Sequence, residues 1–138
     1  MKLKITAGIG FFLFILIVSC QSDEQIEFER YYSAGSLTYQ TRCQNCHGAS
    51  GEGLRGLIPP LTDSLFLKSN KSRLACSIKY GLRGKIIISG RSYQEKMPPT
   101  DLPSIEIANV LTYITNSFGN KLGTINAQAV EGDLAKCK

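Results

Sequence analysis

The chain has 138 residues, the size of one domain. Hydrophobic residues make up 43% and charged residues 20%, which excludes wholesale disorder. The formal charge of +5 is mild and scattered, without the clustered basic face that nucleic acid requires; it fits either a solvated surface or gentle steering toward an acidic partner. The ligand inventory is short: one histidine (His47), two methionines (Met1 and Met97) and five cysteines (Cys20, Cys43, Cys46, Cys76 and Cys137).

The chain opens with Lys2 and Lys4, followed by an apolar run from Ile9 to Val18 broken only by Gly10. That run is short of the roughly 20 apolar residues a spanning helix needs, and a basic start before it reads as an export signal. Residues 1–19 are therefore expected to be a leader. It ends Ile17-Val18-Ser19-Cys20, which resembles a bacterial lipobox, where small residues precede a cysteine that is acylated and becomes the new N-terminus. An ordinary cleaved leader with an incidental cysteine is the competing reading. Residues 20–29, with Asp23, Glu24, Glu27 and Glu29, lack a core-forming pattern and are expected to be an acylated tether.

A first helix is predicted over Glu27–Arg42, with Gly35, Tyr39 and Cys43 on one stripe. It leads into Cys43-Gln-Asn-Cys46-His47, the Cys-x-x-Cys-His attachment sequence for c-type haem. The spacing follows from the chemistry. Two thiols must reach the two vinyl groups on one porphyrin edge, and the next residue must bring an imidazole to the iron. Two other readings compete. A thioredoxin-like dithiol wants a preceding strand, and none is predicted. A structural zinc site would need Cys76 and Cys137, which stand alone rather than as a second knuckle. A glycine loop, Gly48-Ala-Ser-Gly51-Glu-Gly53, follows and is expected to be flexible. After it comes Leu57-Ile-Pro59-Pro60-Leu61.

With these segments in hand, the sequence from about Tyr31 to Asn120 resembles class I cytochromes c. The resemblance implies an all-α, cytochrome c-like domain around one covalently attached haem c, here spanning residues 30–120. It implies that Gly35 packs closely against the last family helix. It implies that the prolyl segment wraps the haem, with the Pro59 carbonyl holding the Nδ1–H of His47; a ligating imidazole needs such an acceptor to fix its tautomer.

Further along, a middle helix is predicted over Ser72–Tyr80, with Asn70 as its cap and Gly81 as its stop. Gly84–Gly90, rich in isoleucine, with Arg91-Ser-Tyr93 reads as a small β hairpin beside the haem. Met97 lies in Lys96-Met97-Pro98-Pro99. His47 is the only histidine and Met1 leaves with the leader, so Met97 is the strong candidate for the sixth iron ligand, unless it is an ordinary packed methionine. The resembled family places its axial methionine in such a Met-Pro loop. The last family helix is expected over Ile105–Phe118, with Ile107, Val110, Leu111 and Ile114 inward and Gly119 past its end. Residues 121–138 form an extension. Within it a tail helix is expected from Asn126 to Lys138, with Val130, Leu134 and Cys137 on one face. Cys76 and Cys137 are the two cysteines left over in an oxidising compartment, either a disulfide or two separate thiols.

These readings converge on an exported electron carrier with His47/Met97 ligation, lipid-anchored to a bacterial membrane and facing the periplasm or outside. Its partners would be redox proteins: an oxidase, a reductase or a dehydrogenase. Arg42, Arg55, Lys85, Arg91 and Lys96 flank the haem segments and either ring its exposed edge or form solvated surface. No acid–base or nucleophilic set is present, so an enzyme is not expected. The alternatives are a haem enzyme or gas-binding sensor with an open sixth site, and a non-haem redox or structural lipoprotein.

Overall fold

A computed structural model describes residues 22–137. The expected leader and Cys20 lie outside the described residues, as does Lys138. Helix α1 runs Asp23–Arg42, α2 Gln44–His47, α3 Ser64–Ser69, α4 Lys71–Tyr80, α5 Ser104–Ile114 and α6 Ala127–Leu134; strands β1 (Ile86–Ile88) and β2 (Arg91–Tyr93) lie between α4 and α5. The fold class is the expected one: helical, with one two-stranded antiparallel hairpin and an added C-terminal helix. Among the described residues no helix is long and apolar enough to cross a membrane.

The first helix starts four residues before the expected Glu27. Ser22 caps it, its hydroxyl accepting from the Gln25 N–H, and Asp23 and Glu24 place negative charge on the positive end of the helix dipole. The acidic segment expected to be an unpatterned tether is thus helical from Asp23 onward. Helix α3 was not expected. Asp63 starts it by accepting from the Phe66 N–H at 2.9 Å, a cap followed by an apolar run that is visible in the sequence afterwards. Asn70 stands at the cap position of α4, but its side chain donates instead to the Phe66 carbonyl and makes no cap bond.

Helices α1 and α5 make the most extensive helix contact of the fold. They meet at Gly35, where an added Cβ would lie 2.6 Å from the Asn109 carbonyl carbon. Helix α5 buries Ile107, Val110, Leu111 and Ile114, the stripe predicted from the sequence. It ends at Ile114 rather than Phe118. The Asn116 N–H turns to the Tyr113 carbonyl, and the Asn116 side chain takes the Thr112 carbonyl that a continuing helix would have used.

The hairpin pairs Ile86 with Tyr93 and Ile88 with Arg91. Ser89 and Gly90, both at positive φ, form its two-residue turn. The Ser89 hydroxyl donates to Asp63, fastening the hairpin to the start of α3. Helix α6 is shorter than the expected Asn126–Lys138. Asn126 caps it by accepting from the Ala129 N–H, and Val130 is fully buried against the rest of the core.

Candidate cofactor site

Tyr39 is 1% exposed in α1, one turn ahead of Cys43. Its ring packs on those of Tyr113 and Phe118, with centroids 5.3 Å away in each case. Its hydroxyl donates to the Gly48 carbonyl at 2.6 Å, tying α1 to the residue after His47. Burial, with Cys43 and Glu52 nearby, raises the Tyr39 phenol well above its ordinary value, so it stays a neutral donor.

Between these fixed points Cys43–His47 makes one helical turn: the Cys46 and His47 N–H groups both bond the Cys43 carbonyl, at 3.1 and 2.9 Å. Cys43 and Cys46 are unpaired, Cys43 half-buried and Cys46 exposed. Burial, together with Cys46, pushes the Cys43 thiol up to about 11 against the opposing pull of Arg42. Both thiols thus sit on one turn with no protein partner among the described residues.

The glycine loop is ordered by its own backbone. Gly53 N–H reaches the His47 carbonyl at 2.7 Å, Leu61 N–H reaches the Gly51 carbonyl at 2.7 Å, and Leu54 bridges Ile58. Gly53 has φ +66, and a Cβ there would meet the Pro59 carbonyl oxygen at 2.8 Å, so only glycine lets the prolyl segment close on the turn. The closure brings Pro59 to His47: Nδ1 lies 3.2 Å from the Pro59 oxygen. A carbonyl only accepts, so Nδ1 carries the proton and Nε2 keeps its lone pair. Burial lowers the His47 pKa, partly offset by this hydrogen bond, so the ring is neutral near neutral pH and competent as a ligand.

Asn120 was missed by sequence reasoning. It is 2% exposed, donates to the carbonyls of Leu61 and Ile114, and accepts from the Ser64 hydroxyl. It therefore pins the prolyl segment two residues beyond Pro59. No local pattern marks it, because two of its three partners, Leu61 and Ser64, are 59 and 56 residues away.

Met97 is half-buried and packs against the core cluster. Its backbone bridges Leu82 through two 3.0 Å hydrogen bonds. Arg42 pairs with Asp101 at 3.7 Å, both side chains exposed, a contact worth little in water. Arg55, Lys85, Arg91 and Lys96 are exposed and form no ion pair among the described residues.

Cys76 and Cys137 are bonded to each other, their Cα atoms 5.7 Å apart. That removes both from a zinc site with Cys43 and Cys46, and among the described residues no other cluster of three metal-ligating side chains occurs. Among the described residues no strand precedes Cys43, so a thioredoxin-like context is absent as well.

Fold and donors define the class: a helical domain with two free thiols and a tautomer-fixed imidazole on one turn. Leu54 and Leu57, in the loop that closes on that turn, remain 53% and 46% exposed, apolar surface that a large flat group would cover. This donor set and the uncovered apolar side chains fit haem.

The profile of the family described as cytochrome c matches residues 32–117, and the chain belongs to that family, whose cofactor is covalently attached haem c. Two relatives, both cytochrome c-552 from Thermus thermophilus, are each 32% identical over 84 residues, 57% of this chain. This chain spans 64% and 57% of their lengths, less than two thirds in both cases. The fructose dehydrogenase cytochrome subunit of Gluconobacter japonicus is 28% identical over 104 residues, 70% of this chain and 21% of that subunit. Electron transfer is the role that membership in this family supports.

Proposed function

We propose that this protein is an exported, lipid-anchored, single-haem electron carrier. Cys43 and Cys46 would form the two thioethers, and His47 would bind iron through Nε2. Pro59 would hold the opposite ring nitrogen, and Met97 would take the sixth position. The observation that carries the reading is the Cys43–His47 turn, with both thiols unpaired and Nδ1 of His47 on the Pro59 carbonyl. Haem supplies the one-electron couple. The residues of this chain do the rest. His47 is oriented in one tautomer, a thioether at Met97 favours a higher potential than harder ligands give, and the core excludes water from the buried side.

Partners would be redox proteins, and the dehydrogenase subunit among the relatives makes a dehydrogenase one candidate class beside oxidases and reductases. Cytochrome c homologues are exported. Cys20, directly after the apolar run, is the proposed acylation site, with the domain on the periplasmic or outer side of a bacterial membrane.

The test is the Cys43→Ala/Cys46→Ala variant. It should carry no haem through denaturing electrophoresis, whereas the parent protein should retain it; haem retained by the variant would overturn the assignment. The reduced parent should show low-spin, six-coordinate bands. High-spin bands would instead indicate an open sixth site, as in a haem enzyme or gas sensor.

A further inference from the structure

We propose that the Cys76–Cys137 disulfide is a positioning clamp for Met97. The proposal rests on Met97 being the sixth ligand. Cys76 lies on α4, and the C-terminal half of α4 carries the segment after Met97. The Thr100 N–H and hydroxyl bond the Lys79 and Ile78 carbonyls at 3.3 and 3.1 Å, and the Lys79 ammonium donates to the Leu102 carbonyl at 2.9 Å. Immediately beyond the helix, Leu82 makes both backbone bonds to Met97. Gly81, at φ +76, lets that segment approach closely: a Cβ there would meet the Pro99 nitrogen at 2.9 Å. The sulfur of Met97 can hold its place only as firmly as α4 does.

Helix α4 has weak ends. It has ten residues, no side-chain cap bond at its start and a glycine at its end. Helix α6 packs directly against α4 and is also anchored elsewhere. Val130 is fully buried, Thr112 exchanges hydrogen bonds with the Ile125 backbone at 3.0 Å each way, and the Ala127 N–H reaches the Tyr31 hydroxyl. The disulfide joins the turn three residues past the end of this helix to α4, within one turn of the residues that hold the Met97 segment. The bridge adds a covalent tie to the direct packing of α4 on α5 and α6, and α4 in turn carries the Met97 segment.

The experiment compares the ferric holoprotein with its Cys76→Ser/Cys137→Ser variant, reading the sulfur-to-iron charge-transfer band and the affinity for added imidazole. The variant should keep its haem but bind imidazole at least about fivefold more tightly, the lower end of ordinary coupling between elements. Equal imidazole affinity with lowered global stability would overturn the clamp and leave an ordinary staple. Alkylation of the denatured, unreduced parent should label neither Cys76 nor Cys137, and labelling of both would also overturn it. Should the double variant not accumulate, Val130→Ala with the bridge intact loosens the post instead; it should raise imidazole affinity, and an unchanged value counts against the proposal. Met97→Ala separates the two readings: a parent-like charge-transfer band in that variant refutes the ligand assignment itself.

Discussion

The same substitution should have opposite signs at two helical glycines. Alanine in a helix interior is favoured over glycine by about 1 kcal/mol. At Gly132 in α6 nothing lies within 4 Å of a new Cβ, so Gly132→Ala should stabilise by up to about 1 kcal/mol. At Gly35 the new carbon would lie 2.6 Å from the Asn109 carbonyl carbon and 2.8 Å from the Tyr113 Cβ. Carbon atoms settle at about 3.5–4.0 Å, so α1 and α5 must separate by about 1 Å along their main contact. What must move is backbone, not the end of a flexible side chain. Overpacking of this kind costs about 1–3 kcal/mol, which exceeds or cancels the propensity gain and leaves Gly35→Ala less stable by up to about 2 kcal/mol. Urea unfolding of the holoprotein, followed by far-ultraviolet circular dichroism, reads the difference directly. With slopes of about 1–3 kcal/mol per molar, the midpoint should fall by about 1 M for Gly35→Ala and rise for Gly132→Ala. A Gly35→Ala midpoint above that of the parent, with an unchanged slope, would refute the close-packing argument.

Three further outcomes are expected. Asn120→Ala leaves the Leu61 and Ile114 carbonyls and the Ser64 hydroxyl without their partner, and unpaired buried groups cost about 1–3 kcal/mol, so the urea midpoint should fall clearly. The Ser89 hydroxyl, with the Phe66 N–H, holds the Asp63 carboxyl below its ordinary pKa; its stabilising contribution is therefore present above the unfolded value of about 4 and lost as pH falls through the lower folded value. Acid titration of stability should accordingly be shallower below about pH 4 in Asp63→Asn, and identical acid limbs would exclude this linkage. Cys20→Ala should release the protein from membranes or halt its processing, as fractionation would show; normal maturation with membrane retention would remove Cys20 as the anchor.

How much was legible depended on how local each feature is. The proposed attachment turn is five consecutive residues whose spacing the haem chemistry imposes, so Cys43, Cys46 and His47 could be proposed without a fold. The α5 stripe and the hairpin were legible because periodicity and paired glycines are also local. Helix ends were less so: α1 begins at the Ser22 cap, and α5 stops where the Asn116 side chain takes the Thr112 carbonyl, choices made by single side chains. The elimination that left Met97 came from composition, yet nothing in the sequence showed that α4 holds its segment. The Pro59 contact needed resemblance to suggest it, and the distance from His47 needed the loop to close over Gly53.

By itself, the sequence determined what the chain can bind, because ligand chemistry depends on residue types and on spacings of a few positions. Only the tertiary structure decided how the binding turn is held. Tyr39 to Gly48, Asn120 to Leu61 and Cys76 to Cys137 are contacts between residues 9, 59 and 61 positions apart. The two longer ones form only after the chain has paid the entropy of closing the loop between them, and which partners then meet is set by how α1, α5 and α6 pack.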